Sequence, residues 1–155
     1  MQTFRREVSV NATPTKVFGA LTDLSQCRQF MPDMVAMELL TAGKFGVGTQ
    51  WRETRKIKIL GFFPIKATAV IEVDAFEKNK LLGTVARDDC NWARYEFRVS
   101  KTGKSSHVVM EGQFKGIGKY QGNDKLAKRL GKYCELADGD LLDRLKEHLE
   151  SARNT

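Results

Sequence analysis

Two ionisable side chains stand on a strand face that is otherwise apolar. Between Thr49 and Ile59, alternate residues Gln50, Arg52, Thr54, Lys56 and Lys58 are all polar, which assigns that face to water. The opposite face carries Trp51, Glu53, Arg55, Ile57 and Ile59, so Glu53 and Arg55 turn inward with the apolar residues. A charge withdrawn from water must be paired or put to use. Either the two form an internal ion pair, or they orient a polar ligand head and move a proton. On the second reading Glu53 is the base or acid, and Arg55 or Tyr95 steadies a developing enolate.

The surrounding inward positions are aromatic and apolar: Trp51, Tyr95, Phe97, Met110 and Phe114. Such a set packs a core or lines a ligand cavity, because both have the same composition. Tyr95 adds a hydroxyl that could donate to a ligand carbonyl. No Ser-His-Asp set accompanies these residues, which makes a binder of a small hydrophobic ligand the preferred expectation over an enzyme. His107 and His148 lack partners at metal-ligand spacing, and Cys27, Cys90 and Cys134 lie far apart, so neither a metal nor a cofactor is expected. "GKFGVG" lacks the Lys-Ser/Thr ending of a phosphate loop and precedes no helix, so it reads as a turn.

The elements that hold these residues follow from periodicity. Residues 3 to 10 alternate as a half-buried strand, with Arg6 anomalously on the apolar face. Asn11 or Thr13 can cap a helix whose first turn contains Pro14 and whose stripe is Val17, Phe18 and Leu21. A second short helix, around Ser25 to Phe30, ends at Pro32. Period-two stretches then run near residues 34–39, 49–59, 65–76, 81–88, 91–101 and 106–115, joined by short turns, which is the pattern of an antiparallel meander. A helical tail follows. Its stripe of Leu126, Leu130, Tyr133 and Ala137 is out of phase with Leu141, Leu142, Leu145 and Leu149, which places a break at Gly139 and a new cap at Asp140.

The 155 residues suit one domain spanning 1–155. A net charge of +7 permits an anionic partner. No basic block with interleaved aromatics is present, so nucleic acid is not expected. The basic face from Lys125 to Lys132, with Phe62 and Phe63 in "LGFFP", leaves room for peripheral contact with an anionic membrane. "MQTFRREVSV" has charges where a signal peptide needs an apolar core, and no apolar run nears the roughly 20 residues of a membrane span. The cytoplasm is the expected location.

"VNATPTKVFGALTDL", "VGTQWRETR" and "GDLLDRLKEHLES", in this order and spacing, resemble the START-related helix-grip (SRPBCC) superfamily. They look most like its polyketide cyclase/dehydrase-like branch. The resemblance implies an α+β helix-grip fold: strand, two short helices and six strands, forming a curved antiparallel seven-stranded sheet around a long C-terminal helix. It also implies a cavity between sheet and helix for a lipid, quinone or polyketide-like ligand, and in some branches cyclisation or dehydration. "RQFMPDM" is similar to the quinone-carrier branch, but Asp33-Met34 replaces the Trp-Cys expected after the proline. The implied ligand-binding set is Phe30, Met31, Trp51, Glu53, Arg55, Tyr95, Phe97, Met110, Phe114, Leu130 and Tyr133.

Overall fold

The computed structural model describes residues 1–59, 63–87 and 91–151, without the side chains of residues 57–59, 63, 65, 126 and 130. Strand β1 (Gln2–Val10) leads into helices α1 (Pro14–Thr22) and α2 (Leu24–Phe30). Strands β2 (Met34–Leu39), β3 (Gln50–Ile59), β4 (Phe63–Glu77), β5 (Leu81–Arg87), β6 (Asn91–Thr102) and β7 (Ser105–Gly116) follow. A 3₁₀ turn at Gly118–Tyr120 then precedes α3 (Asp124–Asp138) and α4 (Leu141–Ser151).

The helical corner is fixed by side-chain caps. Thr13 Oγ1 accepts from the Lys16 amide, and Pro14 occupies the first turn, where its missing N–H removes no helical hydrogen bond. Asp23 both ends α1 and starts α2. Its amide donates to the Gly19 carbonyl at 2.9 Å, while its carboxylate accepts from the Ser25 amide and hydroxyl and from Gln26. Those side-chain hydrogen bonds from Ser25 and Gln26 hold the Asp23 carboxyl below its ordinary range.

All strand pairs are antiparallel, in the order β1-β7-β6-β5-β4-β3-β2, so the first strand closes onto the last and β2 forms the far edge. On the outer face, Arg94 of β6 is held between Asp74 at 2.6 Å and Glu96 at 2.8 Å. That bridge crosses directly above Gly83, where a Cβ would meet Asp74 Oδ1 at 2.5 Å, so the intervening strand needs a residue without a side chain.

On the inner face, Val73, Val108, Met110 and Phe114 form a fully buried layer with Val10, Val17, Leu142 and Leu145. Helix α3 lies over β7 and β1, and α4 packs against β1, α1 and α2. The anomalous Arg6 is explained by α3: its guanidinium reaches Glu135 Oε1 at 2.6 Å, which lets a charge occupy the inner face at its rim. The helical tail breaks at Gly139–Asp140, as expected, but α3 turns Ala127, Gly131 and Asp138 to the sheet, one position along from the expected stripe, so the break does not come from a shift of phase. No helix among the described residues is long and apolar enough to cross a membrane.

Candidate functional site

The concave face of β3–β6, helix α2 and the second half of α3 line a partly open cavity of about 240 Å³. Small side chains create it. The inward positions Ala67 and Ala69 on β4, Ala86 on β5 and Ala137 on α3 all line it and leave space that larger residues would fill. Leu21, Phe30, Met31, Trp51, Ile71 and Phe97 supply much of the apolar wall.

One end is polar. Arg55 projects from β3 toward the C-terminus of α3, where Nη2 donates to Asp138 Oδ1 at 2.7 Å and Nη1 to Asp138 Oδ2 at 3.3 Å. Nη2 also donates to Asp33 Oδ1 at 3.4 Å. Its Nε sits 3.1 Å from Asp33 Oδ2, without the alignment of a hydrogen bond. Tyr95 Oη donates to Asp138 Oδ2 at 2.6 Å. Asp138, only 4% exposed, is thus anchored from two strands at once. Burial alone would lower the pKa of Arg55, but Asp138 and then Asp33 outweigh it and raise the value, so the guanidinium stays charged. Burial, reinforced by the Asp138 charge, raises Tyr95 well above the ordinary phenol range and keeps it a donor.

Glu53 stands apart from this cluster. Its Oε2 accepts from the Trp51 indole N–H at 3.3 Å. Burial pushes its carboxyl above the ordinary range, against the opposing influence of Arg55 and Trp51. The internal Glu53–Arg55 ion pair that their spacing allows is replaced by pairing of Arg55 with Asp138 and Asp33. Cys27 and Cys134 also line the cavity. Burial pushes each thiol up to about 12, so both are neutral and poor nucleophiles at physiological pH.

Of the residues expected from the sequence, Phe30, Met31, Trp51, Glu53, Arg55, Tyr95, Phe97 and Tyr133 line this cavity. Met110 and Phe114 do not, which corrects their assignment as ligand contacts: both are 0% exposed in the packed layer of β7. The Phe114 ring stacks on Phe4 and meets Tyr95 edge-on beneath α3, leaving no access from the cavity. The side chains of Leu130 and Phe63, and all of Phe62, lie outside the described residues, while the backbone of Phe63 begins β4 rather than sitting in a turn. His107 faces Glu7 on the outer surface, and His148 packs beside Phe30, so neither joins the polar cluster. Among the described residues no group of His, Cys, Asp or Glu is placed to hold a metal ion.

Asp138 and Asp33 are the residues that sequence reasoning missed. A signal for Asp138 exists: Ala127, Gly131, Cys134 and Asp138 recur at intervals of four, three and four, one helical stripe that faces the sheet. Asp33 appears in the sequence only as a departure from the quinone-carrier pattern, and its role depends on a partner 22 residues away.

A family model described as polyketide cyclase/dehydrase and lipid transport matches residues 1–150. No curated protein matches the sequence significantly. Among solved structures, a START superfamily protein from Mycobacterium smegmatis superposes with a TM-score of 0.75 at 16% identity, covering 97% of this chain and 98% of that one. TTHA0849 from Thermus thermophilus gives 0.71 at 17% identity, over 97% and 99%. The di-domain ARO/CYC protein BexL from the BE-7585A biosynthetic pathway gives 0.73 at 13% identity, with 100% of this chain matching 48% of that one. At these identities the likeness is one of fold. With the family model spanning nearly its whole length, the chain belongs to the polyketide cyclase/dehydrase and lipid transport family and has the START-related helix-grip fold.

Proposed function

We propose that the protein binds a small, mainly apolar ligand in the cavity between sheet and α3, with the ligand's polar end at Glu53 and the Arg55–Asp138–Tyr95 cluster. The observation carrying this reading is the cavity itself: close-packed interiors leave few voids larger than a water molecule, and this one is about 240 Å³. Its few polar groups converge at one end, as in ligand pockets generally. Displacement of a fluorescent fatty alcohol, with native mass spectrometry of gently purified protein, tests it. Ala69→Phe should fill the space and weaken binding by about tenfold or more while leaving the thermal midpoint intact. A wild-type protein that binds no apolar probe ends the proposal. Cys27 and Cys134, free thiols among the described residues, suit a reducing compartment, so we propose the cytoplasm for this activity.

A cyclase-like reaction in the same cavity is the second reading, and the buried Glu53 favours it. A carboxyl raised by burial can take a proton from a carbon between two ketones and return it to a developing alkoxide. Arg55 and Tyr95 support this reading less, since each already bonds to Asp138. Glu53→Gln should slow turnover of a poly-β-ketone substrate roughly hundredfold or more. Unchanged turnover removes Glu53 from the chemistry.

The outer face of α3 fits peripheral contact with an anionic membrane. Lys125, Lys128, Arg129 and Lys132 are all exposed there, with Leu136 one turn further on the same face at 76% exposure. Sedimentation with vesicles containing phosphatidylserine should weaken with salt and with Lys128→Glu/Lys132→Glu. Binding indifferent to both rules out this contact.

A further inference from the structure

The charge balance of the cavity determines which polar end it accepts. Arg55 is its sole lining cation among the described residues, and Glu53 and Asp138 are its lining carboxyl groups. Asp33 closes on the same guanidinium from the α2–β2 corner. Asp138 takes hydrogen bonds from Nη1 and Nη2, and Asp33 takes a second from Nη2 while lying beside Nε. Every nitrogen of the fork therefore already faces a carboxylate, and two carboxylates oppose one positive charge. A ligand carboxylate placed here would be a further anion without a free cation, which is costly beside a largely apolar wall.

The groups that remain are suited to a neutral acceptor. The Tyr95 proton is already donated to Asp138. Glu53 has the Trp51 indole on one oxygen and the apolar cavity around it, and in its protonated form it donates one hydrogen bond. The second proton of Arg55 Nη1 and the Thr84 hydroxyl are further donors at the wall. A carbonyl oxygen or a hydroxyl can accept from these without adding charge.

Resting on the ligand-binding reading above, we propose that the cavity takes an uncharged ligand bearing a carbonyl or hydroxyl group and rejects free carboxylates, because Asp138 and Asp33 already neutralise Arg55. Fatty-acid-like anions are therefore excluded from the ligand class, while ketones, phenols and esters of similar shape are admitted.

A matched pair of probes tests this: naphthoate and its near-isosteric methyl ketone, acetylnaphthalene, titrated calorimetrically into the full-length protein in neutral buffer. The ketone should bind about tenfold or more tightly than the carboxylate. Asp33→Asn, at a partly exposed position whose loss the fold tolerates more readily than that of Asp138, removes one competitor for Arg55. It should narrow the gap by strengthening naphthoate binding while leaving the ketone unchanged. Naphthoate binding the wild-type protein as tightly as the ketone overturns the proposal, and so does a ratio unmoved by Asp33→Asn. Failure of both probes on wild type instead overturns the ligand-binding reading on which it rests, so the two failures are told apart.

Discussion

Glu53 is where a proton matters most at the level of single residues. The ordinary value for its carboxyl is 4.5, and burial raises it in the folded protein. The native state thus holds this proton more tightly than the unfolded chain. The stability gained from it is complete below the unfolded value and is lost as pH rises through the higher folded value. Glu53→Gln abolishes that loss, so the stability of the variant minus that of wild type should climb with pH from the unfolded value upward and then level off. Urea denaturation at a series of pH values measures it, and a difference that falls with pH contradicts the burial argument. The inward placement of Glu53 and Arg55 was legible in the sequence because strand alternation is strict and the opposite face is wholly polar. The partners of Arg55 were not, because period-two patterning says which way a side chain points and nothing about what meets it from another element.

Among the elements, the junction of α3 and α4 is the most constrained. The Gly139 amide donates to the Glu135 carbonyl at 2.8 Å, and a Cβ on Gly139 would lie 2.3 Å from that same oxygen. Gly139→Ala must therefore push the chain off the end of α3, beside the aspartate that Arg55 holds. A loss of roughly 2 kcal/mol in urea-measured stability is expected, with weaker ligand binding in the same variant. Retention of both would mean that the helix end relaxes without disturbing Asp138. The position of this break was legible from Gly139 followed by the capping Asp140, but not from the phase of the stripes, because the face α3 turns to the sheet, Ala127, Gly131 and Asp138, is in phase with Leu141, Leu142 and Leu145. The absence of Met110 and Phe114 from the cavity was not legible. Inward residues of β7 and inward residues of β4 have the same alternation, and only the path of α3 over β7 decides which of them is sealed.

For the molecule as a whole, the sheet is assembled largely from neighbours in sequence, with hairpin pairs from β2–β3 through to β6–β7 and the long-range pair β1–β7. The order of strands and helices was therefore legible from turns and alternation, whereas the cavity was expected only from the family resemblance, since alternation cannot tell a filled core from an open one and the space comes from a few alanines across three elements. The Arg55 cluster belongs to a different class of contact. Its link to Asp138 joins residues 83 apart, and the Tyr95 link joins residues 43 apart. Contacts of that span need the strands in place before they can close, so we expect them to form on the native side of the folding barrier. Asp138→Asn should accordingly act on the escape from the native state rather than on the approach to it. In stopped-flow urea experiments the unfolding limb should rise about tenfold or more, with the refolding limb nearly unmoved. An equal slowing of refolding would show that the cluster is already closed at the barrier. On the expected outcome the residues that polarise the cavity would also act as a kinetic brake, setting the lifetime of the folded chain.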